Sequence, residues 1–422
     1  MKRTWITLPI LLFSSLWAWS EEELASVEEP ISEGIVVAPQ ETTFFNSIAK
    51  PNAWLRAEYL MFWVKDAPIA APLLVTGSPN DLFPGALDQS GTQVLLQGPV
   101  SYGRSNGLRF TAGSWLDDQQ RIGFEVILTG LEQNRVGQSW QADANGNPYL
   151  ARPFLNARTG NENVYFVSQN LPGLGVSARL TGSFGFSSAT EFRSLEINGL
   201  GLAFAEGSST ATLMLGYRSV WLREDLRMTQ STRAIDETAR LSFAGDRLGM
   251  GESLLVHDTF RTDNQFFGLN LGGRYGWQMD RLSLDFLAKV AVGVTQQLVQ
   301  SEGATTRYNS MGVLIGSEPG GLLSLSTNGI RNFQTDFSVV PELGFDVGFR
   351  LTSGLKARMG YSMLYWSGVA RPGGQIDRTL TTSRVPIDPS YNPNSFATRP
   401  SAPMVTTDFW TRGFTFMLDL SY

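Results

Sequence analysis

The chain of 422 residues contains a single histidine, His257, and Asp258 follows it. A His beside a carboxylate, with a nucleophilic Ser in reach, is the raw material of hydrolysis. Neighbours in sequence do not thereby acquire that geometry, and the stretch around them, 223–259, reads as an external loop in which one His is solvated. The chain is therefore expected not to be an enzyme. Metal binding has no better basis, since one His, no Cys and no dense carboxylate loop leave no donor set. No cofactor is expected.

The other charged residues are spaced for packing. Arg56 and Glu58, Arg109, Glu125, Glu196, Arg218 and Arg274 each stand between apolar neighbours in alternating segments, on the polar face of a strand. Asp285 and Lys289, then Glu342, Asp346 and Arg350, then Lys356, Arg358 and Asp419 repeat the pattern. Basic and acidic members nearly balance. If these faces line a closed lumen, the charges must pair across it, because an unpaired buried charge costs about 3–5 kcal/mol. A barrel of about ten strands is filled by its side chains, whereas aqueous channels belong to barrels of about 16. The expected lumen is a charged, filled core; a narrow pore is the alternative.

Strands are needed to hold these residues. In the last stretch, RGFTFMLDLSY, the residues Phe414, Phe416, Leu418, Leu420 and Tyr422 alternate with Thr415, Met417, Asp419 and Ser421, as a strand between lipid and lumen requires. It resembles the closing strand that outer-membrane barrels present to their assembly machinery. Nine further segments precede it: 53–65, 107–116, 121–132, 190–204, 210–222, 260–277, 282–295, 336–351 and 355–366. Short and long links alternate strictly between them, which places short turns on one side of a membrane and long loops on the other. The spacing predicts an all-β, antiparallel up-and-down barrel of ten strands. Segments 164–168 and 175–186 of the second long loop give twelve strands, or a plug, as the alternative. Along 282–295, Val292 faces lipid, so Val292→Arg should be costly, while Gly293→Ser, toward the lumen, should be milder. Trp54, Trp63, Trp277, Tyr365, Trp366 and Trp410 lie near strand ends, where they would form the aromatic girdles. The run ARPGGQID in the last loop reads as a rigid turn packing on Trp366.

The amino end sets the compartment. Lys2 and Arg3, the apolar run 6–17 and Ala18-Trp19-Ser20 have the form of an export signal, 1–20, ahead of an acidic tail, 21–52, and a barrel, 53–422. With no Cys there is no disulfide framework. The formal charge of −6 becomes more negative once Lys2 and Arg3 are removed, which argues against nucleic-acid partners.

AEYLMFWVKDAPIAAPLLVTGSP (57–79), LMLGYRSVWLREDL (213–226), FRTDNQFFGLNLGGRYGW (260–277) and, most specifically, FSVVPELGFDVGFRLTSGLKARMGYSMLYWSGVARPGGQIDR (337–378) are similar to a family of exported bacterial barrels called putative beta-barrel porin seven. The likeness spans nearly the whole mature chain and departs in 133–189. It implies an outer-membrane barrel of uncharacterised activity and brings no catalytic or ligand residues. The expected partners are outer-membrane lipid, the barrel-assembly machinery through the closing strand, and a surface ligand whose identity the residues do not give; the oligomeric state is not set. The expected function is a structural or surface-binding barrel, with a passive diffusion channel as the alternative.

Overall fold

The computed structural model describes residues 52–170, 178–329 and 331–421. The export signal, the acidic stretch up to residue 51 and Tyr422 lie outside them. Among the described residues the fold is all-β, and ten long strands form its frame. They are β1 (Ala53–Val64), β2 (Arg104–Trp115), β3 (Ile122–Leu131), β4 (Leu180–Glu206), β5 (Ser209–Ala234), β6 (Ser253–Met279), β7 (Leu282–Tyr308), β8 (Asn332–Arg350), β9 (Leu355–Ala370) and β10 (Thr406–Ser421). Each pairs antiparallel with the next, and β10 pairs with β1 from Trp54↔Ser421 to Val64↔Thr411, so the sheet closes on itself. Closure leaves no edge in lipid. The turns β4–β5 and β6–β7 hold only two residues each, with Gly207 and Asp280 in the left-handed region at φ 58° and 51°.

Four strands run well past the alternation that defines them in the sequence. β4, β6 and β7 are 27 residues long and β5 is 26, whereas a tilted crossing takes about 9–11. The reason lies in a reversal of faces along β5. On the turn side Leu213, Leu215 and Tyr217 are exposed and Arg218 is buried; on the loop side Arg223 and Arg227 are exposed and Leu222, Leu226 and Met228 are buried. The same strand leaves lipid and enters water. Residues 223–234 and 253–259 are therefore strand, not loop.

The long connections fold on one side. Within them, Leu74–Thr76, Gln93–Leu96, Leu150–Asn156, Glu162–Ser168 and Thr379–Leu380 form a second, five-stranded sheet. Its apolar residues, among them Leu74, Leu150, Phe154 and Leu380, share a core with Phe184, Leu226 and Phe260 of the extended strands. Residues 164–168 thus belong to this small sheet, 180–186 to β4, and Asn134–Gln141 pairs with β4 beyond β3. Neither segment adds a strand to the ring, so the twelve-strand alternative is set aside.

Two local expectations are corrected. Trp366 is not a girdle residue: it is 0 % exposed inside the ring, donates from Nε1 to Thr295 Oγ1 at 2.9 Å and meets the Phe266 ring edge-on at 6.4 Å. Trp63, by contrast, is 37 % exposed on the outer wall. Gly293→Ser does not have the room that would make it the milder change, because a Cβ there would lie 2.0 Å from the Phe267 carbonyl oxygen. In the last loop the run after Ala370 does form a short 3-10 turn, Pro372–Gln375, and Gly373 comes so near Pro68 O that a Cβ would sit 1.8 Å from it.

Candidate functional site

The interior of the ring is built in layers, each set by the inward residues of several strands at one height. Nearest the short turns, Arg56 of β1 pairs with Asp419 of β10 at 2.9 Å, and Arg358 of β9 contacts Asp285 of β7 and Asp346 of β8 and lies 3.8 Å from Asp419. The next layer is denser. Arg109 reaches Glu58 and Glu342 at 3.4 Å each; Arg218 reaches Glu342 at 2.5 Å and Glu196 at 3.3 Å; Lys289 reaches Glu196 at 2.7 Å and Glu342 at 3.3 Å. Arg274 and Glu125 pair at 3.4 Å; Asn198 donates to Glu125 at 3.4 Å, and Asn270 donates to Asn198 at 2.8 Å and to Glu196 at 3.2 Å. Glu342 thus meets three cations from β2, β5 and β7, which fixes the spacing of strands that do not touch.

Above the charges lies an apolar plate. Leu60 and Phe62 of β1, Phe192 of β4, Val220 of β5, Phe266 of β6, Trp366 of β9 and Phe409 of β10 are all buried there. Two spaces found inside the ring, among the charges, measure about 40 and 10 Å³, room for a water or two and no more.

A second polar level follows, which the sequence reading missed. Arg371 of the last loop is buried, donates to both Glu224 oxygens at 2.7 and 2.6 Å and to the carbonyls of Asp66 and Lys65 at 2.9 and 3.2 Å, and lies over the Phe409 ring. Burial, then the nearby Glu224 carboxylate, pushes the Tyr102 phenol well up, and its hydroxyl bonds Ser188. Higher still, Asp258 accepts the backbone N–H groups of Leu322, Leu323 and Ser324 at 2.8–2.9 Å and pairs with Arg152 at 2.9 Å. These contacts tie three loops to the wall.

The placement of the expected residues is uneven. Those just named stand inside the ring. Arg350 and Lys356, opposite each other at the turn-side mouth, make no ion pair among the described residues, so the expected pairing of Arg350 with a carboxylate is not formed. Phe414, Phe416, Leu418 and Leu420 face outward on β10. His257 and Asp258 are successive residues of β6 and point to opposite faces: Asp258 inward, His257 outward and half-buried with Nδ1 3.1 Å from Thr229 Oγ1. No dyad exists between them, and His257 is not a solvated loop residue.

The sequence profile of the family described as Putative beta barrel porin-7 (BBP7) matches residues 54–422. The chain belongs to this family. A search of curated proteins found no match. Among solved structures the chain is similar to the outer membrane protease OmpT from Escherichia coli, at 8% identity over 88% of this chain and 97% of that one, with a TM-score of 0.37. It is also similar to a FadL homologue of Pseudomonas aeruginosa (10%, 90% and 93%, 0.20) and to the P. putida toluene transporter TodX (10%, 88% and 90%, 0.17). Likenesses this distant transfer no activity. Membership in a porin-like barrel family fits the exposed apolar band of the wall and an outer-membrane location.

Proposed function

We propose that the chain is a non-enzymatic outer-membrane barrel whose packed lumen does not conduct and serves as a rigid pedestal for a binding surface on the loop side. The observation that carries this reading is the apolar plate of Phe62, Phe192, Phe266, Trp366 and Phe409 lying across the ring directly above the charged network. Ions cannot cross a packed apolar layer without a large desolvation cost, and the two spaces found among the charges beneath hold only about 40 and 10 Å³. Loops held on a rigid scaffold are where recognition usually sits, and here three of them are pinned by Arg152, Asp258 and Arg371. Export with removal of 1–20, and delivery to the assembly machinery through the outward aromatic face of β10, belong to the same reading. Purified protein in planar bilayers should give no steady conductance. A large, steady conductance from the unaltered protein would sink the proposal and favour a diffusion channel.

A further inference from the structure

The loop-side margin of the lipid-facing band on β10, β1 and β2 carries an arrangement that neither the lumen nor the loops use. Trp63 of β1 stands in register with Arg412 of β10 on one side and Arg104 of β2 on the other, and residues opposite each other in antiparallel strands share a face. All three are exposed on the outer wall. The two arginines are one strand away from Trp63 in each direction, about 10 Å apart at the backbone. Arg412 lies over the Trp410 ring at 4.8 Å, and Arg104 Nη1 is 4.0 Å from the Met61 sulfur.

Neither arginine has a carboxylate partner among the described residues. Two of the outward arginines further up the wall do, Arg223 with Asp263 at 2.5 Å and Arg261 with Asp225 at 2.7 Å, whereas Arg227 does not. The carboxylates nearest the margin are already engaged, Asp408 by Lys65 at 2.5 Å and Glu132 by the backbone and side-chain amides of Asn106 at 2.8 and 2.7 Å. A second observation lies just turnward of Arg104. There the outer wall hollows into a concavity of about 1310 Å³, with Tyr59, Leu108 and Phe110 at its β1–β2 end and Glu191, Arg223 and Asp263 at its β4–β6 end.

We infer that this margin is a docking site for a phosphate-bearing lipid of the loop-side leaflet. The phosphate sits between Arg104 and Arg412, whose planar forks suit its oxygens. The acyl chains lie along the concavity, and Trp63 and Trp410 mark the headgroup level. Unpaired guanidinium groups at the top of an apolar wall select an anion that arrives attached to hydrocarbon, since a free anion gains nothing from the hollow below.

The full chain in a neutral detergent, studied by native mass spectrometry, tests this with phosphatidic acid and with diacylglycerol of the same chains. The unaltered protein should retain phosphatidic acid at least about tenfold better than diacylglycerol, as paired charge-assisted contacts imply. Arg104→Gln with Arg412→Gln should bring the ratio near unity, while Arg261→Gln, at an ion-paired position outside the concavity, should leave it unchanged. Both substituted side chains are exposed, and heat-modifiable gel mobility reports whether each variant is folded; the unaltered protein's ratio is decisive by itself. Inorganic phosphate should fail to displace the lipid. Equal retention of the two lipids, persistence of the preference in the double variant, or displacement by inorganic phosphate alone would each overturn the assignment.

Discussion

Along β5 one ladder passes through two opposite kinds of protein. On the turn side the wall is apolar outside, with Leu213, Leu215 and Tyr217, and charged inside, with Arg218; on the loop side Arg223 and Arg227 are outside and Leu222, Leu226 and Met228 inside. The strand geometry does not change, so the reversal measures the solvent. In lipid, a leucine gains little by moving inward, and cohesion must come from the hydrogen-bonded ladder and the inner ion pairs. In water, burying the same side chain contributes about 1.5–3 kcal/mol. The turn-side core is therefore held by charge complementarity and the loop-side core by apolar packing.

That contrast can be broken at either core. Glu342→Ala should cost about 3–5 kcal/mol, because it leaves Arg109, Arg218 and Lys289 short of a shared carboxylate in a low-dielectric interior. Urea unfolding of the reconstituted protein would measure it, and a loss under about 1 kcal/mol would mean that water reaches the network. In the plate, Trp366→Ala should cost a similar amount, about 3–5 kcal/mol, through the cavity left among Phe266 and its neighbours. Unlike the charge deletion, it should be partly rescued by Trp366→Phe.

The outer wall should show a smaller but sharper difference. Val292→Arg, outward within the lipid band of β7, should cost about 2–4 kcal/mol near the midplane. Gln296→Arg, two outward positions further along the same strand, exposed and level with Trp221 at the reversal, should cost no more than about 1 kcal/mol. Equal costs would place the boundary elsewhere.

The smallest effect concerns pH and the loop side alone. Partial burial works against the Asp377 carboxylate, yet the N–H groups of Ser401 and Thr379 and the Arg399 guanidinium hold it below the usual range. A lowered folded value means that its stabilisation is complete above the unfolded value of about 3.9 and is lost as pH falls through the folded one. Proteolysis within 371–405 should therefore rise below about pH 4 while the ring keeps its heat-modifiable mobility. Asp377→Asn should abolish that dependence.

The strands of the turn-side half were legible because lipid imposes one sign of alternation, and Phe286, Val290 and Phe416 obey it. Their loop-side extensions were not, because the sign inverts near Ser219 to Trp221. Glu224 then looks like part of a polar loop, although its apolar inward neighbours Leu222 and Leu226 do mark a strand once the inversion is allowed. Trp366 was misread as a girdle residue for a related reason: an aromatic near a strand end faces lipid or lumen according to parity, and its parity is that of Leu364 and Arg358. Inner charges could be found by alternation; their partners could not, because Arg109 and Glu342 meet across strands that share no register. Arg350 illustrates the limit, being placed by parity and left without a carboxylate.

The seam where β10 meets β1 has to choose among alignments that hydrophobicity cannot tell apart. A slip of one residue would turn every side chain to the wrong face, but a slip of two preserves the faces and would still set aromatics and leucines outward. In the observed register Arg56 stands opposite Asp419; shifted by two, it would stand opposite Met417 or Ser421. The cost of a stranded guanidinium then rejects the false closure. One ion pair at the join works as a proofreading key for the circle.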